Sequence, residues 1–85
     1  MIEEDRPEYA VAVFLDNGKH AYIVRWVHGK AAVACFDRAI AVGERSKEPP
    51  LRIIITDGGD CTVREWKRGE GVVWPERART GGLRS

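Results

Sequence analysis

With 14 Lys+Arg against 13 Asp+Glu in 85 residues, a formal net charge of +1, the chain lacks the basic excess of a dedicated polyanion binder. A chain this short buries only roughly 60 to 65% of its unfolded surface, which restricts it to one small core with little room for a cofactor pocket. Cys35 and Cys61 are too few for a disulfide scaffold, and no apolar run approaches the ~20 residues that cross a bilayer.

The opening residues carry Glu3, Glu4, Asp5 and Glu8 against Arg6, with no apolar stretch of signal-peptide type. Residues 1–7 are therefore expected to be an acidic, solvated segment, and the expected compartment is the cytoplasm, where both thiols stay reduced. Next come two alternating apolar runs, Tyr9 to Leu15 and His20 to Val27, separated by Asn17-Gly18. Asn-Gly accepts the positive φ angles of a two-residue hairpin turn. That turn pairs Leu15 with His20, Val13 with Tyr22, Val11 with Val24 and Tyr9 with Trp26, leaving Ala10, Ala12, Phe14, Ala21, Ile23, Arg25 and Val27 on the other face.

Gly29 offers a second tight turn, so residues 30–36 read as a third antiparallel strand. The alternative is a longer helix from about Ala31 to Ser46, a stretch with five alanines. On the strand reading, Asp37 caps a short helix over residues 38–46. Pro49-Pro50 closes this region, because neither residue has an N–H to donate. Leu51 to Thr56 and Cys61 to Trp66 form a second hairpin around Asp57-Gly-Gly-Asp60, setting Arg52 across from Glu65 and Leu51 across from Trp66. Val72 to Trp74 adds an edge strand or folds back over the sheet. Residues 76–85 have no periodic apolar positions and read as a disordered basic tail.

The expected fold is thus a single α+β domain over residues 8–75: an antiparallel sheet of four to five strands with one short helix, in the order βββαββ or ββαββ. No catalytic motif is present, and no nucleophile, base and oxyanion donors occur in mutual context. His20, His28, Cys35 and Cys61 lack metal-ligand spacing, since His20 and His28 fall about 26 Å apart at ~3.3 Å per residue of strand. No cofactor is expected. Asp57 and Asp60 read as the acidic shoulders of a turn rather than as cation ligands.

The three tryptophans are first candidates for the core, being the largest apolar groups of a small domain. One short helix covers one sheet face, and the alanine-rich face of Ala10, Ala12, Ala21, Ala32 and Ala34 lets a helix approach closely. Tyr9, Val11, Tyr22, Val24 and Trp26 then need another cover, which makes them candidate interface residues toward a partner protein or a second copy. The competing reading is a nucleic-acid surface of Arg25, Lys67, Arg68, Arg77 and Arg79 interleaved with tryptophan, which the near-neutral charge disfavours.

The runs Tyr9 to Val27, Asp37 to Ser46 and Leu51 to Trp66, about two thirds of the chain, resemble small phage and mobile-element proteins, specifically the anti-CRISPR inhibitors of type I systems. Some of these look like strand-strand-helix-strand-strand domains. The same runs are similar to small bacterial domains in which a strand, an Asp-Gly turn and a strand follow one helix. The resemblance is one of pattern and implies a binder, in the cytoplasm of an infected host, that blocks a nucleoprotein complex by occupying its surface. The near-neutral charge points away from mimicry of nucleic acid.

Cys35 and Cys61 are predicted to be unbridged and to bind no metal, because on the strand reading they lie on separated strands of a reduced protein and lack partner ligands at suitable spacing. Alkylation without reductant should add one adduct per cysteine. An intact mass lower by two hydrogens contradicts this.

Overall fold

The computed structural model describes residue 2 and residues 5–74. Five strands and one helix follow in the order β1 (Tyr9–Phe14), β2 (His20–Val27), α1 (Gly29–Glu44), β3 (Arg52–Thr56), β4 (Thr62–Lys67) and β5 (Gly71–Trp74). The sheet is antiparallel throughout, in the spatial order β2-β1-β3-β4-β5. β2 and β3 therefore flank β1 and run the same way, and α1 is the crossover that carries the chain from one to the other. The expected α+β domain is present, with Val72 to Trp74 in the fifth, edge strand.

Residues 30–36 are not a strand. They are the first two turns of α1, and Asp37 is an exposed mid-helix residue instead of a cap. The helix starts directly after β2 with His28 at the N-cap position, where the His28 carbonyl accepts from the Ala32 N–H at 2.9 Å. Alanine is the best helix former and a poor strand former. The decisive pattern is Gly29, Ala32, Phe36 and Gly43, which recur at helical spacing and are the residues α1 buries.

The core lies between α1 and one face of the sheet. Tyr9, Val11, Ile53, Ile55 and Trp66 meet Ala32 and Phe36, with Ile2, Val13, Val24, Val27 and Ile40 packed at the margin. This reverses the expected arrangement, because the helix covers the large-residue face of β1 and leaves Ala10, Ala12 and Phe14 on the other side. Ile2 packs against the core from the N-terminal side. Residues 76–85, including the expected tail with Arg77 and Arg79, lie outside the described residues.

The β1–β2 turn also differs from the two-residue form. Leu15 N–H donates to Lys19 O at 2.8 Å and Gly18 N–H to Leu15 O at 3.1 Å, with Gly18 at φ +84°. This is a three-residue loop with Gly18 at the left-handed bulge position, and the Asn17 side chain accepts from the Lys19 N–H at 2.9 Å. Asp57 to Cys61 repeats the arrangement with Asp60 at φ +64° in the glycine position; Asp57 Oδ1 accepts from the Gly59 and Cys61 amides. The register moves accordingly, to Ile53 opposite Trp66 and Ile54 opposite Glu65. Arg52 now meets Glu65 diagonally rather than directly, yet their ion pair closes to 2.7 Å.

α1 approaches the loop before β3 so closely that a Cβ on buried Gly43 would lie 2.8 Å from Cδ of Pro50. Alanine at this helical position gains about 1 kcal/mol in propensity, but overpacking costs about 1–3 kcal/mol. Gly43→Ala is therefore expected to lower the melting midpoint, by about 4–8 °C per kcal/mol of net loss in a domain of this size. A raised midpoint would show that Pro50 gives way.

Candidate functional site

β2 departs from regular pairing at two places. Phe14, Val13 and Ala12 face His20, Ala21 and Tyr22, but Val11 faces Val24 and Tyr9 faces Val27. One extra residue, Ile23, is inserted after Tyr22, and a second is inserted in the Arg25-Trp26 pair, where Trp26 takes φ +58°. Each bulge reverses the alternation of the strand. Tyr22 and Val24, which share a face on regular pairing, thus separate: Val24 points under α1, and Tyr22 stands over Ala12 on the uncovered face.

The five interface candidates divide as a result. Tyr9 and Val11 are buried core beneath the helix, and Val24 is half-buried beside them. As core residues these three are withdrawn from the interface assignment. Tyr22 is 42% exposed and Trp26 64% exposed, and the bulged Ile23 joins them on the same edge strand. Of the tryptophans, Trp66 is core and Trp26 and Trp74 are surface residues.

On the uncovered face, a run of three rings is flanked by two cations across three strands. The Arg52 guanidinium lies 4.5 Å from the Phe14 ring centroid, Phe14 stacks on His20 at 5.3 Å, His20 meets Tyr22 edge-on at 6.3 Å, and Arg25 lies 4.8 Å over Tyr22. The ladder closes over the sheet centre, where Ala12, Ile54 and Thr56 are buried without help from the helix. Such contacts are worth about 0.5–1 kcal/mol each when exposed. Beside the ladder, Trp26, Tyr22 and Arg25 border a hollow of about 40 Å³ whose far wall is Glu8 and the Asp57 to Asp60 turn. Their juxtaposition with Trp26 escapes the sequence reading, since β2 reaches the β3–β4 turn only through the sheet order and the bulges.

Among the described residues, the basic candidates Arg25, Lys67 and Arg68 do not form one patch. Arg68 donates to both carboxylate oxygens of Asp16, at 2.9 and 3.2 Å, and to the Pro49 carbonyl at 3.0 Å, so it ties two turns together. Arg25 is stacked on Tyr22 at the opposite end of the sheet from Lys67. Lys67 is exposed and, with Leu51, Arg52, Arg68 and Glu70, lines an open groove of about 330 Å³. Arg52 and Arg68 there are already matched by Glu65 and Asp16.

Cys35 lies half-buried on α1 and Cys61 is exposed in the β3–β4 turn, both as free thiols. Burial pushes the Cys35 thiol above its ordinary pKa, with Arg38 pulling more weakly the other way, so at neutral pH it is a protonated, poor nucleophile. Among the described residues no group of three or more His, Cys, Asp or Glu is placed to hold a metal ion, and no helix is long and apolar enough to cross a membrane.

A bulky residue at positive φ costs about 1–2 kcal/mol. Trp26 is mostly exposed, so little burial offsets that cost. Trp26→Asn, which adopts the left-handed conformation readily, is expected to leave the melting midpoint unchanged or raise it. A fall of more than about 5 °C, roughly 1 kcal/mol in a domain of this size, would mean that the indole is a packing residue.

Comparison with family models, with curated proteins and with solved structures finds no match to this chain.

Proposed function

We propose that this chain is a non-enzymatic protein-binding module that engages its partner through β2 and the adjoining uncovered face, with Trp26 as anchor. The observation that carries the reading is Trp26 itself: an exposed indole held at φ +58° beside exposed Tyr22 and Ile23. Non-glycine strain persists where the surroundings impose it, and it concentrates at functional positions. Tryptophan, tyrosine and arginine are also the residues enriched at interface hot spots, and Trp26, Tyr22 and Arg25 stand together here. The pattern-level likeness to type I anti-CRISPR inhibitors supports a narrower form, in which the module sterically blocks a nucleoprotein complex in a bacterial cytoplasm. Purified type I effector complexes are therefore the first partners to try.

The test compares wild type with Trp26→Asn in capture from host extract and in sedimentation. Truncating an anchor costs about 2 kcal/mol or more, so binding should weaken about 30-fold while the melt is preserved. The expected result is a stoichiometric protein that survives nuclease treatment and moderate salt and is lost from the variant. Self-association lost in the variant would identify a second copy as the partner. Capture of nucleic acid alone, falling steeply with salt and dependent on Lys67, overturns the proposal in favour of the basic groove.

A further inference from the structure

On the helix side of the sheet, away from Trp26, we infer that Arg64 is the receptor for a carboxylate that a bound protein brings to the shelf over β4 and β5. Arg64 stands opposite buried Ile55, so its side chain lies on the face that α1 packs against. The guanidinium carbon is 5.9 Å from the ring centroid of Phe36, the residue that seats the helix. Its Nε is shut off from solvent and has no hydrogen-bond partner. Arg52 is held by Glu65 and Arg68 by Asp16, whereas half-buried Arg64 forms no ion pair among the described residues.

Withdrawing a cation from water without a counter-charge costs stability, and only an arriving anion offsets that cost. The helix does not supply one, because α1 lies chiefly over β1, β2 and β3. Beyond Phe36 the helix side of β4 and β5 is therefore open. Val72 stands there opposite Trp66 and is 42% exposed, and half-buried Val63, inserted as a bulge beside Arg64, packs against the core. A guanidinium held on an aromatic ring presents a preorganised fork that donates to both oxygens of a carboxylate. The flanking valines suit an apolar segment and offer nothing to a strongly hydrated phosphate. The ligand is thus an Asp or Glu set between apolar residues of a partner protein.

The test follows the Arg64 Nε–H in the magnetic-resonance spectrum of the labelled full chain, where burial slows its exchange with water. Titration with end-blocked Val-Glu-Val is expected to shift this resonance and the Val72 amide, and Val-Gln-Val to leave both unmoved. Arg64→Lys keeps the charge and loses the fork, so the shift of the Val72 amide should need about fivefold more peptide. Should that variant fail to fold, the wild type titrated with Val-Gln-Val and with inorganic phosphate decides. Arg64→Met removes an uncompensated charge at similar volume, so its melting midpoint is expected to stay or rise.

No response to the glutamate peptide, an equal response to the glutamine peptide, or a stronger response to phosphate overturns the assignment. A fall of more than about 5 °C in the Arg64→Met midpoint also overturns it, since the guanidinium is then a packing group on Phe36. Trp26→Asn is expected to respond as the wild type does. Loss of the glutamate response in that variant overturns a site separate from β2, and a response retained there stands whatever becomes of the Trp26 anchor.

Discussion

Everything else in this molecule depends on the seating of Phe36 and Ala32 of α1 against the centre of the sheet, on Val11, Ile53 and Ile55. Burying a phenylalanine fully contributes about 2–3 kcal/mol, and alanine at position 32 lets the helix come close enough for that burial to be complete. With one helix among the described residues, only one face of the sheet is made dry in this way. The crossover from β2 to β3 must then pass over β1, which makes β1 and β3 central and leaves β2 and β5 as edges.

The uncovered face is finished by side chains rather than by a second layer. Its centre is small or β-branched, Ala12, Ile54 and Thr56, and longer residues close over it as the ladder from Arg52 to Arg25 and as the Arg52–Glu65 ion pair. Arg68 spends its guanidinium on Asp16 and Pro49, fastening the β1–β2 turn to the β4–β5 turn. Among the described residues, Arg25, Arg52 and Arg68 thus hold the surface together.

What stays available is β2. Its two bulges interrupt the regular backbone edge that invites indiscriminate strand pairing, and they re-aim Tyr22, Ile23 and Trp26 outward. The acidic β3–β4 turn is their neighbour across the hollow beside Trp26.

The sequence by itself determined the local devices: the glycine and aspartate turns, the two hairpins, the stop at Pro49-Pro50 and the α+β class. Each depends on the φ preferences or the alternation of a few adjacent residues, and such preferences are legible without a fold. Tyr22 and Trp26 stood out in the sequence as interface candidates because one helix covers only one sheet face, although the size of the tryptophans also made Trp26 a candidate for the core. Three things were decided only by the tertiary structure. Residues 30–36 read as a strand from the turn signal at Gly29, and they became helix because Ala32 and Phe36 fill the space over β1 and β3. The helix chose the face of Tyr9 and Val11 over the alanine face, since large residues gain more by being covered. The bulges at Ile23 and Trp26 left no local mark, because an inserted residue is revealed only by what stands opposite it. The partner strand β1 supplies that reference, and with it the separation of Val24 in the core from Tyr22 at the surface.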